Sequence, residues 1–143
     1  MGTHTWTKAR KKAVAAWVEA ALPPLGLAGW RVELDFDTAV VANPDEEVVA
    51  DICHAANSRH AYLRFGPQFL AQSPADATQA LTHELMHAHL FALQDTTAEL
   101  LVLLTTPDRA SVANVALLAQ VERSVDALAD AFQPLLPFLD LHA

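Results

Sequence analysis

Along the first third of the chain the spacing of apolar residues changes from helical to strand-like. Between Thr7 and Leu22, the residues Val14, Trp17, Val18 and Ala21 recur on one helix face, and Pro23-Pro24 closes the segment. "WRVELDFD" then alternates without a break. Trp30, Val32, Leu34 and Phe36 fall on one side and Arg31, Glu33, Asp35 and Asp37 on the other, which predicts a strand with one wet face. After the turn-like "ANPDEE", Val48 to His54 reads as a second strand and "HAYLRF" as a third. The "AANSR" between them has hairpin chemistry. In the third strand Ala61, Leu63 and Phe65 point inward and Tyr62 and Arg64 outward, and Gly66-Pro67 ends the sheet region.

The second half returns to helical spacing. Ser73 is a good N-cap, with Pro74 at the first helical position and Asp76 in the first turn, so a helix is predicted from Pro74 to about Gln94. Thr106-Pro107-Asp108 repeats the start signal, and a long helix should run from there until Pro134 and Pro137 break it. Helix, three strands, helix, helix is an α+β arrangement. At 143 residues, without repeats or Gly/Ser-rich linkers, a single domain spanning 1–143 is expected.

Composition narrows the function classes. The formal net charge of -8 argues against a nucleic-acid partner, since the only basic cluster, Lys8, Arg10, Lys11 and Lys12, reads as a solvated helix face. Although 52% of residues are hydrophobic, no uncharged apolar run reaches membrane-span length, and Glu19 with Pro23-Pro24 spoils a faint likeness to a signal peptide. The single cysteine, Cys53, has no internal disulfide partner and suits a reducing, cytoplasmic compartment. Its apolar surroundings fit a small packed side chain better than a nucleophile.

The chemistry sits in "ALTHELMHAHLFAL", Ala80 to Leu93. At about 100° per residue, His83 and His87 lie one turn apart on the same side of a helix, so both imidazoles can reach one point. Glu84 can lean toward that point, whereas His89 falls on another side and reads as a partly exposed position. His-Glu-x-x-His is a zinc-binding pattern in which two neutral imidazoles hold the metal and the carboxylate serves as base. The alternative is a pair of core histidines with no shared ligand, but burying two imidazoles and a carboxylate on one arc is costly unless they share a partner. A third donor must come from elsewhere. Leu90 and Leu93 occupy the positions where a metzincin carries glycine and a third histidine, and no histidine occurs between His89 and His142.

Downstream, "QVERSVDALADAF" sets Glu122 four residues before Asp126, with Leu118, Ala119 and Val125 beside Glu122 on its helical face. With these residues the chain resembles the gluzincin metallopeptidases from about Trp30 to Phe132, and most closely the small zincin-like domains of bacteria and phages. The resemblance implies a zincin-like fold with one Zn²⁺ per chain. It also implies that His83, His87 and Glu122 are the metal ligands, Asp126 supports a histidine ligand and Glu84 is the general base acting on zinc-activated water. The substrate would be a peptide or protein. Glu99 and Asp95 remain alternative third ligands, although both follow His87 closely in sequence.

The resemblance further likens "HAYLRF" to the edge strand lining a substrate cleft. On that expectation an extended peptide would pair with it, and Tyr62 or Arg64 would contact the substrate. Larger gluzincins carry a downstream Tyr or His that stabilises the oxyanion, whereas this chain has no tyrosine after Tyr62. Two rivals therefore stay open: a zinc-binding domain that acts through protein contacts without catalysis, and a metal-free helical interaction module.

Overall fold

A computed structural model describes residues 5–37 and 48–142; the expected "ANPDEE" turn lies outside them. The order is α1 (Lys8–Ala21), β1 (Arg31–Asp35), β2 (Ala50–His54), β3 (His60–Phe65), α2 (Pro74–Met86), α3 (Phe91–Leu104) and α4 (Pro107–Phe132), an α+β arrangement with a mixed three-stranded sheet. Side-chain caps set three of the helix starts. Thr7, Ser73 and Thr106 each accept the backbone N–H three residues on, satisfying a donor that the first turn leaves open. None of these helices is long and apolar enough to cross a membrane.

β2 and β3 form the expected antiparallel hairpin, with Ala50 opposite Phe65 and His54 opposite Ala61. β1 pairs with β3 in parallel, so the strand order is β1-β3-β2 and β3 is the central strand. This corrects the edge-strand expectation. Both sides of "HAYLRF" are occupied and an extended peptide cannot pair there, while β2 takes the edge position among the described strands. Pairing order depends on how the segments pack, and alternation within a strand carries no information about its neighbours. The strands are also shorter than predicted, β1 by one residue at its start and two at its end, β2 by two at its start. The sheet turns away at Gly66, where a Cβ would collide with the Val48 carbonyl.

Phe65, Leu63, Leu81, Leu85, Val14 and Val125 are fully buried between the sheet and helices α1, α2 and α4. The two fully buried polar side chains among the described residues are satisfied. Thr82 donates to the Thr78 carbonyl at 2.7 Å, and the Thr78 hydroxyl donates to Pro74 at 2.8 Å while accepting the Leu139 N–H at 2.7 Å. The Trp17 indole donates to the Pro137 carbonyl at 2.8 Å and the Arg10 guanidinium to that of Leu141. The segment after α4 is thereby fastened to both α1 and α2.

The helix expected to run on to Gln94 instead stops at Met86. A 3-10 turn spans His87–His89, and α3 starts only at Phe91. No glycine or proline lies at the break, so two tertiary contacts account for it. The His89 ring donates to the Leu25 carbonyl at 2.7 Å. Phe91 turns inward to stack on His54, with ring centroids 3.9 Å apart and planes 8° apart. Together they hold the chain out of a continuous α-helix here, overriding local propensity.

Candidate metal centre

α2 and α4 pack side by side through Leu81, Leu85, Val121 and Val125, and this places Glu122 and Asp126 over the exposed side of His83 and His87. The His83 and His87 rings stand edge-on to one another with centroids 5.1 Å apart. One Glu122 oxygen lies 3.3 Å from His83 Nε2 and the other 3.4 Å from His87 Nε2. Those separations are long for charge-assisted hydrogen bonds, which fall near 2.7–2.9 Å. They match the edge, about 3.3 Å, of a tetrahedron whose bonds to a central ion are about 2.0–2.1 Å.

The tautomer of His83 supports the same arrangement. Asp126 Oδ1 lies 3.0 Å from His83 Nδ1, so a neutral ring donates its N–H there and leaves Nε2 as a bare lone pair. Burial holds the His87 pKa below the ordinary histidine value, against the opposing pull of Glu122, which keeps this ring in the neutral form a metal requires. The Nε2 atoms of the two histidines and the Glu122 carboxylate are thus near enough to one another for a cation to fit between them.

Donor atoms of His83, Glu84 and His87 all lie within 4.8 Å of one another. Glu84 is on the sheet side of this group, where its carboxylate accepts the Ile52 N–H on the outer edge of β2. Burial, and after it the carboxylates of Asp51 and Glu122, push the Glu84 pKa up to about 8 despite that hydrogen bond. Asp51 is itself gripped by the Arg64 guanidinium, Nε and Nη2 each 2.6 Å from a carboxylate oxygen. An open cleft of about 390 Å³ runs past Ala50, Gln79, His83, Glu84 and Asp126.

The remaining sequence candidates fall elsewhere. Tyr62 is on the outward face of the central strand, beside His60 with ring centroids 4.7 Å apart, and Arg64 is committed to Asp51. Asp95 lies 2.8 Å from His54 Nε2 and accepts the Asn57 N–H, so its carboxylate serves that pair and is held below its ordinary pKa chiefly by the His54 bond. Glu99 is on an exposed stretch of α3, and His89 is exposed with its ring on Leu25.

Sequence reasoning missed Asp51, Ile52 and the His54–Asp95 pair. The Asp51–Arg64 contact was within reach, because a hairpin centred on "AANSRH" puts position 51 opposite position 64. The Ile52 contact was not, since it depends on β2 lying at the edge. No family model, curated protein or solved structure matches this chain.

Proposed function

We propose that the chain is a zinc-dependent peptide hydrolase of gluzincin type, with His83, His87 and Glu122 as metal ligands and Glu84 as general base. The observation that carries this reading is the position of Glu122, whose two oxygens span the two imidazole Nε2 atoms at ligand-to-ligand distances. Zn²⁺ held there supplies the Lewis acidity that activates water and polarises a carbonyl. Glu84 adjoins the donor set and has no cationic partner of its own among its contacts. It takes a proton from the attacking water and returns it to the leaving amine, while the Ile52 N–H fixes the orientation of its carboxylate. Asp126 keeps His83 in the ligating tautomer.

The outer edge of β2 adjoins Glu84, so an extended peptide would pair with β2 rather than with β3. This reading moves substrate contact away from Tyr62 and Arg64. Arg64 would act indirectly, by holding the Asp51 carboxylate next to Glu84.

The test is Glu84→Gln, assayed with a library of unstructured peptides and with metal analysis of untagged protein. One zinc per chain should remain while cleavage falls at least about 10²-fold, the usual contribution of a positioned base. Cleavage at the original rate would remove Glu84 from the mechanism. Zinc bound with no cleavage in either protein would favour the second reading, a zinc-binding domain acting through protein contacts, which the lack of any tyrosine after Tyr62 supports.

A further inference from the structure

The free end of the α3–α4 hairpin exposes an unusual number of large apolar side chains. Eight of the eleven exposed large hydrophobic side chains among the described residues lie between Leu93 and Leu118. Val102, Leu103, Leu104, Val112 and Val115 are each 67–78% exposed. Phe91 is the only buried residue of α3, and α4 has none before Val121. Leu93, Leu100 and Leu104 form a stripe on α3. On α4, Val112, Val115, Ala116 and Ala119 recur at helical spacing on the side opposite the Val121–Val125 face that packs against α2.

We infer that this hairpin end is the interface of a homodimer, in which two copies pack their α3–α4 hairpins together as a helical bundle. Area is the first argument. At roughly 80–100 Å² of apolar surface per side chain, the five large residues of the two stripes, Leu93, Leu100, Leu104, Val112 and Val115, present on the order of 450 Å². That is within the roughly 300–600 Å² of a monomer's largest and often functional patch, and it matches the apolar share, a little over half, of the roughly 800 Å² per partner of a standard stable interface.

Charge is the second argument. The chain carries a net -8, which opposes self-association, yet between Leu100 and Val121 its only charged residues are Asp108 and Arg109. The hairpin end is therefore neutral, and it is where a second copy meets least repulsion. Charge resumes at Glu122 and Arg123, which bounds the patch on the side of the histidine cluster. A lipid bilayer fits less well, since the turn between the helices would carry Asp108, Arg109 and the polar caps Thr105 and Thr106 into it.

Sedimentation velocity on the full chain, from about 1 to 100 µM, tests the inference independently of any catalytic role. The expected result is a discrete, concentration-dependent species of twice the 15.5 kDa chain mass. Leu104→Glu, Val112→Glu and Val115→Glu combined should be monomeric throughout, with unchanged far-UV circular dichroism and zinc content. Should that combination lose helicity, Val115→Glu alone must raise the dissociation constant at least about tenfold (1.4 kcal/mol). A monomer at 100 µM, a polydisperse aggregate, a dimer indifferent to these substitutions, or wild-type protein that leaves the dimer for phosphatidylcholine vesicles would each overturn it.

Discussion

The two halves of α4 serve opposite ends of the physical scale. Its C-terminal half buries Val121, Val125 and Ala129 against α2, and this contact holds two carboxylates over two histidines. Its N-terminal half pairs with α3 and buries no residue fully. Yet α3 is the more apolar partner: "ELLVLL" has no polar residue after Glu99, whereas α2 carries His83, Glu84 and two buried threonines. Apolar composition determines how strongly a helix seeks cover. The topology determines whether that cover lies within the same chain, and among the described residues it does so for α2 but not for α3.

Removing one large side chain from each pairing should separate them most widely. Leu85→Ala empties a fully buried site and should cost about 2–5 kcal/mol in chemical denaturation, whereas Leu103→Ala, 78% exposed, should stay within about 0.5 kcal/mol at concentrations too low for association. Equal losses would show that the hairpin is part of the folding core. The carboxylates give the next contrast. Glu122→Ala should weaken zinc binding about 10²-fold in competition with a chelating dye, and Glu99→Ala on the hairpin should leave it unchanged. A reversed ranking would move the third ligand to α3. Asp126→Asn, which keeps the shape but weakens the grip on His83 Nδ1, should cost about tenfold.

The smallest effect concerns protons. In metal-free protein Glu84 has a folded pKa of about 8 against an ordinary 4.5, so the folded state holds a proton that the unfolded state has lost, and stability falls as pH rises between those values. His87, with a lowered pKa, works in the other direction, but only below the ordinary histidine value of 6.5. Between pH 6.5 and 8 the His87 effect has ended and the Glu84 contribution remains. The melting temperature of chelator-treated protein should drop by a few degrees across that window, and Glu84→Gln should flatten the drop. An unchanged slope in the variant would detach it from Glu84.

The sequence made legible whatever local chemistry decides. The caps at Ser73 and Thr106, the β2–β3 hairpin and the one-turn stacking of His83 on His87 follow from residues within a few positions of one another. Glu122 and Asp126 were also in view, because four-residue spacing places both on one side of a helix. What stayed hidden was set by contacts between distant segments. The α2 axis ends where His89 reaches Leu25, α3 begins without any side-chain cap at Leu90, and β3 becomes central because β1 joins it in parallel. The error over the edge strand came from that last point: the alternation of "HAYLRF" identifies its two faces, while the occupancy of its edges depends on residues 31–35.

The fastening of the segment after α4 bears on how the chain acquires its structure during synthesis. Trp17 waits for the Pro137 carbonyl, Thr78 for the Leu139 N–H and Arg10 for the Leu141 carbonyl, so α1 is secured by residues synthesised 120 and 131 positions after its own. A nascent chain still lacking residues 137–141 has α1 and α2 without these ties and with an indole donor unmet. Such a chain is exposed to chaperones and proteases until synthesis has passed Leu141. The same dependence makes this short segment sensitive to deletion or insertion, although it lies far along the chain from the histidines.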